Sequence, residues 1–275
     1  MRIRYFADLH YSEDVRDMAL DAERAAFFSS ALDAFSAPGA DLLVSLGDVS
    51  TTSRPESMRH VHDALERAPF PVHYVYGNHD TMFVNEAHMD QIFGRTADYS
   101  FDQGGVHFVV IDTTKPFPRS IDEWGGHVST SQLEWLGSEV RSAQGRPLVV
   151  MGHHALSGTM SFIDDDIEKA YVDNSDEVLE VLGSHVGGAG IYLCGHTHHN
   201  AYGTLGAWHF IMLADVPATA GYLELDFKPS CAEVAYRHFD DAEEHPFSQG
   251  LPLYQAHTRT HAESGCTFEN VVIPL

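Results

Sequence analysis

Five short stretches set carboxylate, imidazole and amide side chains directly behind apolar runs. They are Asp8-Leu9-His10, Gly47-Asp48, Gly77-Asn78-His79-Asp80, Gly152-His153-His154 and Gly195-His196-Thr197-His198. Four of the five carry a glycine just before the first polar group, where the backbone must turn tightly and approach closely. The donors are oxygen and imidazole nitrogen, without thiolate. That mixture suits Mn, Fe or Zn in a catalytic site rather than a closed cysteine-type structural zinc. Asp8, His10, Asp48, Asn78, His153, His196 and His198 make seven candidate ligands, more than one ion needs. Two divalent or trivalent ions sharing one carboxylate fit the count, and such a pair ~3.5–4 Å apart can hold a phosphoryl group and stabilise both oxygens of an in-line displacement. In Asp8-x-His10 and His196-x-His198, alternation along an extended backbone is expected to turn both side chains to one face.

The elements behind these stretches must carry their ends to one rim. Residues 3–7 read as a strand. Residues 17–37 read as a helix, with Leu20, Phe27, Phe28, Ala31, Leu32 and Phe35 at three- and four-residue steps and a stop at Pro38-Gly39. A second strand is expected at 42–46, a helix with proline in its first turn at 55–67, and a third strand, rich in β-branched and aromatic residues, at 72–76. This β-α-β-α-β order predicts a parallel layer with crossover helices and chemistry beyond the carboxyl ends of the strands. Helices are further expected at 86–93, 129–143 and 175–184, and a hairpin around Gly104-Gly105. Further strands are expected at 148–151, 191–194, 208–214, 220–227 and 232–238. Residues 115–126 and 155–173 read as irregular loops. The expected organisation is one domain over 1–239, with a C-terminal extension, 240–275, that shows no clear period and packs on it. Oligomerisation through that segment is left open.

At 275 residues and 44% hydrophobic composition the chain can bury a substantial core. No apolar run approaches the ~18–20 residues of a membrane span. With 40 acidic against 16 basic residues the formal net charge is −24, which disfavours extended nucleic acid as a partner. A small phosphate ester stays open, because bound cations invert the local field. The first residues lack a basic-then-apolar leader pattern. The three cysteines, Cys194, Cys231 and Cys266, are odd in number and widely spaced, as suits reduced thiols. The expected location is cytoplasmic.

Taken in order, the five stretches resemble the motif set of the calcineurin-like metallophosphoesterase superfamily: D-x-H, G-D, G-N-H-[DE], G-H and G-H-x-H. The resemblance covers residues 3 to about 215, and the spacing is similar to the bacterial class III cyclic-nucleotide phosphodiesterase group. It implies an α/β fold, a two-sheet α/β/β/α sandwich. It also implies that Asp8, His10 and His198 bind one metal, that Asn78, His153 and His196 bind a second, and that Asp48 binds both. A hydroxide at the metal pair would attack phosphorus, and His79 would give a proton to the leaving oxygen. Asp80 would orient His79 or its loop. The implied substrate is a small phosphodiester such as a cyclic nucleotide. The alternatives are a phosphomonoesterase or broad phosphohydrolase, or a non-catalytic metal-binding scaffold. Many members extend the second motif to G-D-x-x-D. Here Thr51 stands at the last position, which leaves the partner of His79 open.

Plainer readings stand beside these. Asp8 and Asp48 fit simple turn or cap residues, and Asn78 taken singly fits a turn. Of the adjacent histidines, His153 is the expected ligand; His154 would touch substrate, the attacking hydroxide or nothing. His199 is expected outside the ligand set and His209 as a packed core residue. Cys194 reads as a small buried apolar residue. Asp164-Asp165-Asp166 reads as a solvated loop face or an overhang of the site. Phe117, Trp124 and Tyr171 fall in the two loops expected to flank the site, and each fits either packing or stacking on a flat group.

Overall fold

The computed structural model describes residues 1–13, 18–120, 122–143, 145–160, 169–240, 268 and 271–275. The acidic run 164–166 and residues 241–267 of the C-terminal extension lie outside the described residues. Strands β1 (Arg2–Phe6), β2 (Leu42–Ser45) and β3 (Val72–Tyr74) run parallel and are joined through helices α1 (Met18–Ser36) and α2 (Pro55–Leu65). After α3 (Glu86–Phe93) the chain enters a second sheet by the hairpin β4 (Tyr99–Gln103) and β5 (Val106–Val110). Helices α4 (Thr130–Ser142) and α5 (Ser175–Leu182) flank β6 (Leu148–Met151) in sequence and carry the chain to β7 (Gly190–Cys194). A second hairpin follows, β8 (Ala201–Leu205) and β9 (Trp208–Met212). A short α6 (Val216–Thr219) then returns the chain to the first sheet through β10 (Gly221–Phe227), β11 (Cys231–His238) and β12 (Val272–Pro274). Each sheet has six strands, in the orders β12-β11-β10-β1-β2-β3 and β4-β5-β6-β7-β9-β8.

Side-chain alternation sorts the core into layers. Ile3 and Tyr5 of β1 and Val149 and Met151 of β6 point into the space between the sheets, with Phe108, Leu193, Leu223 and Phe268. Phe6 faces the other way, onto Phe27, Phe28, Phe35 and Val61 of α1 and α2. Val150 and Tyr192 face Leu136, Val140, Val178 and Leu182 of α4 and α5. Strands β6 and β7, covered on both faces, are apolar without a break, as buried parallel strands tend to be. The result is an α/β/β/α sandwich. The two edge strands β3 and β4 meet at His73, whose ring stacks on Phe101 at 3.9 Å between centroids.

Each helix and strand predicted from sequence occurs, with ends shifted by no more than two residues. Three elements had no counterpart: β8, α6 and β12. β8 is an edge strand that runs from buried Ala201 to exposed Leu205 through a central Gly203, so no alternation marks it. β12 has three residues, one of them Pro274, and exists by pairing with β11.

Candidate metal centre

The carboxyl ends of β1, β2, β3, β6 and β7 meet at one rim, where backbone hydrogen bonds lock neighbouring loops. Asp8 N–H donates to Gly47 O at 3.0 Å, His10 N–H to Asp48 O at 2.9 Å, and Gly195 N–H to His153 O at 3.0 Å. His196 N–H donates to Asp8 Oδ2 at 2.9 Å and so joins the two sheets. Asp8, His10, Asp48, His196 and His198 all take positive φ, between 48° and 75°. Such residues cost of order 1–3 kcal/mol each and gather at functional sites, where the surrounding structure holds them in place. The D-x-H and H-x-H pairs therefore converge through left-handed residues, which corrects the expected extended backbone. The turns also leave no room for a Cβ. One on Gly47, at φ +102°, would stand 2.5 Å from His153 Nδ1, and one on Gly77 would stand 2.1 Å from Asp48 Oδ1.

The seven candidate ligands form two groups. In the first, His10 Nε2 lies 3.0 Å from His198 Nε2, and Asp8 Oδ1 lies 3.5 Å from His198 Nε2 and 3.9 Å from His10 Nε2. In the second, Asn78 Oδ1 lies 3.1 Å from His153 Nε2 and 2.8 Å from His196 Nδ1. Asp48 Oδ2 stands between them, 3.9 Å from His10 Nε2 and 3.3 Å from His153 Nε2. Donors around one ion at about 2.0–2.2 Å and near 90–110° lie about 2.8–3.6 Å from one another. The closest pairs in both groups have this spacing.

Main-chain acceptors set the histidine tautomers. His153 donates from Nδ1 to Leu46 O at 2.8 Å, and His196 donates from Nε2 to Lys169 O at 3.1 Å. In the neutral rings the remaining nitrogen then presents a lone pair to Asn78 Oδ1, itself an acceptor. Lone pairs converging in a buried site are favourable only around a shared positive charge, and anchoring the outer nitrogen is how proteins orient metal-binding imidazoles. His198 Nδ1 lies 3.7 Å from the buried Asp215 Oδ1.

The electrostatics of the polypeptide point the same way. Burial raises the Asp8 carboxyl to about 6 against the pull of His153. Burial opposes ionisation of Asp48, yet His153, His79 and His10 together hold it well below the usual carboxylate range. Burial also works against a charged His153, but Asp48 and Asp8 raise it to about 9. Burial and neighbouring imidazoles push His10 and His196 well below the usual histidine range. The carboxylates thus favour positive charge at His153, while His10 and His196 are held in the neutral form that can offer a lone pair.

His79 donates its backbone N–H to Asp48 Oδ1 at 2.8 Å, and its ring sits perpendicular to His10 at 4.9 Å between centroids. Asp80 is turned to the loops: its carboxylate accepts Ser50 N–H and Gly77 N–H, each at 3.1 Å. Burial, then Asp48, raises it to about 8. His154 has both ring nitrogens engaged. Thr113 Oγ1 accepts the backbone N–H of His153 and of His154, so its own hydrogen goes to His154 Nδ1 at 2.8 Å, and His154 Nε2–H donates to Trp124 O at 2.9 Å. His154 is thus a buried brace for the loop carrying Trp124. His199 bonds the carbonyl of Thr197, His209 bonds Tyr202, and Cys194 is buried. Asp215 and Thr113 were not foreseen. Asp215 had a signal, a cap followed by proline, and it accepts Ala218 N–H at 3.0 Å as the N-cap of α6. Thr113 follows the end of β5, a strand end of the same design without Gly or His.

A four-layer sandwich thus sets a carboxylate, imidazole and amide cluster, a candidate metal centre, at the carboxyl ends of both sheets. The chain belongs to the calcineurin-like phosphoesterase family, whose model matches residues 1–200. It is 27% identical over 165 residues to a 3′,5′-cyclic-nucleotide phosphodiesterase of Nostoc sp., covering 58% of this chain and 57% of that one. It is 25% identical over 156 residues to a probable cyclic nucleotide phosphodiesterase of Fibrobacter succinogenes, covering 56% and 57%. The chain spans little more than half the length of these curated relatives. Its fold is similar to the crystal structure of a dimetal phosphatase from Danio rerio, with TM-score 0.65, 16% identity, and coverage of 87% of this chain and 96% of that one. Among the described residues no helix is long and apolar enough to cross a membrane.

Proposed function

We propose that this protein hydrolyses small phosphodiesters at a dinuclear metal centre, with cyclic nucleotides as the leading substrate class. The supporting observation is the donor set itself: two groups of lone pairs at ligand spacing around Asp48, with the outer nitrogens of His153 and His196 anchored on carbonyls. Asp8, His10 and His198 would hold one ion, Asn78, His153 and His196 the other, and Asp48 both; Mn, Fe and Zn suit these donors. When bound, the ions supply Lewis acidity toward phosphoryl oxygens and lower the pKa of water. The chain's own groups do the rest. His79 is oriented through Nδ1, so its Nε2 can pass a proton to the leaving oxygen. Asp80 holds the Gly77 and Ser50 loops together and keeps the Asn78-His79 turn in place. His154 and Thr113 brace His153 from behind. The similarity to a cyclic-nucleotide phosphodiesterase of Nostoc sp. and a probable one of Fibrobacter succinogenes supports a diester substrate.

The test is turnover by Mn-loaded protein of bis-p-nitrophenyl phosphate against p-nitrophenyl phosphate. Preference for the diester is expected. A wide preference for the monoester would make the protein a phosphomonoesterase instead.

A further inference from the structure

Among the described residues, the large apolar side chains left exposed are Met18, Phe83, Phe117, Val186, Leu205 and Val272. The two aromatic ones, Phe83 at 56% and Phe117 at 44% exposure, sit on the two loops that meet at the Asn78-His79 turn. Phe83 N–H donates to Ser53 Oγ at 3.2 Å, and the same hydroxyl donates to the carbonyl of His79. Phe117 lies in a segment that Arg119 pins from both sides. Arg119 Nη1 donates to the Lys115 carbonyl, while Nη2 donates to Asn78 O at 2.8 Å and Thr81 Oγ1 at 2.9 Å.

Both backbones are therefore fastened to the turn that carries Asn78 and His79, while the phenyl groups stay in water. A lone exposed apolar residue needs no explanation, but two aromatic ones on anchored loops beside a polar donor cluster offer a surface for a flat apolar group. Arg119 sets its guanidinium against the same turn, among the carboxylates of Asp112, Asp48 and Glu123.

Resting on the phosphodiesterase reading above, we propose that Phe83 and Phe117 are specificity-determining residues that receive the flat ring of a phosphodiester, a purine or aryl group, while its phosphorus lies at the donor groups. The chemistry required of the substrate is thus a phosphodiester bearing a planar ring, rather than a dialkyl diester.

The experiment compares kcat/KM for a cyclic purine nucleotide with that for a ring-free dialkyl phosphodiester. It uses the Mn-loaded full chain, wild type against Phe83→Ala, Phe117→Ala and the double variant. Metal content per chain and melting temperature are followed alongside. The ratio of the two substrates is expected to fall roughly 5- to 150-fold in the double variant, the range for losing a base–aromatic stack. The loss should appear chiefly in KM, and Phe→Tyr at both positions should restore the ratio. An unchanged ratio in an active double variant, or equal restoration by Phe→Leu, overturns this inference and leaves the phosphodiesterase reading standing. A wild type that hydrolyses neither diester overturns that reading, and this inference with it.

Discussion

His79 donates from Nδ1 to the backbone carbonyl oxygen of Thr51 at 2.8 Å. The partner of His79 is thus a main-chain acceptor rather than a side-chain carboxylate. It orients the ring and fixes the tautomer without adding charge. The Thr51 side chain has separate work: its hydroxyl donates to His10 O at 2.8 Å. If His79 supplies a proton to the leaving oxygen, His79→Ala should keep two metals per chain and lose roughly 10²–10⁴-fold in turnover of a diester with a poor leaving group. Unchanged turnover with such a substrate, measured beside elemental analysis, would remove His79 from the chemistry.

Asp48 is the carboxylate between the two donor groups. Asp48→Asn keeps the shape and removes the charge that both groups share. Metal occupancy should fall below two ions per chain, and turnover should fall with it. Two tightly held ions in that variant would contradict a bridging role.

Gly77 tests the geometry without touching a donor. A Cβ at this position would stand 2.1 Å from Asp48 Oδ1 and 2.4 Å from Asp48 N. Gly77→Ala must push the Asp48 loop away, at a cost of about 1–3 kcal/mol in folding stability, as for other overpacked sites. The same shift should weaken metal binding, read by calorimetric titration with Mn²⁺. A variant with wild-type melting temperature and metal affinity would show that the loops tolerate the extra atom.

Away from the site, His73 gives a pH prediction. Burial, then Arg95, lowers its imidazole to about 3, and the ring stacks on Phe101 where the two sheets' edges meet. Below about pH 6.5 the unfolded chain takes up a proton here that the folded chain refuses until about pH 3. Stability from this group is therefore complete above pH 6.5 and lost as pH falls between those values, by up to about 1.4 kcal/mol per pH unit. His73→Phe keeps a stacked ring and removes the titration. Relative to wild type, the variant should gain stability on going from pH 7 to pH 4.5 in urea unfolding. A stability difference that stays constant with pH would contradict the assignment.

The order of elements and the candidate donors were legible in the sequence because both are local. An apolar run, a Gly and a ligand-type side chain occupy adjacent positions, as at Gly152-His153 and Gly195-His196, and helix periodicity spans a few turns, as in α1 and α2. β8 and β12 escaped because an edge strand acquires its structure from a partner distant in sequence, not from its own pattern. The partition of donors into two groups around Asp48 was implied by the resemblance alone; the distances between the groups needed both sheets in place. The acceptors that orient His79, His153 and His196 are the carbonyls of Thr51, Leu46 and Lys169. Every residue carries such a carbonyl, so residue type cannot reveal which one is used. Only the folded rim, with five loops held left-handed or glycine-tight against one another, decides that.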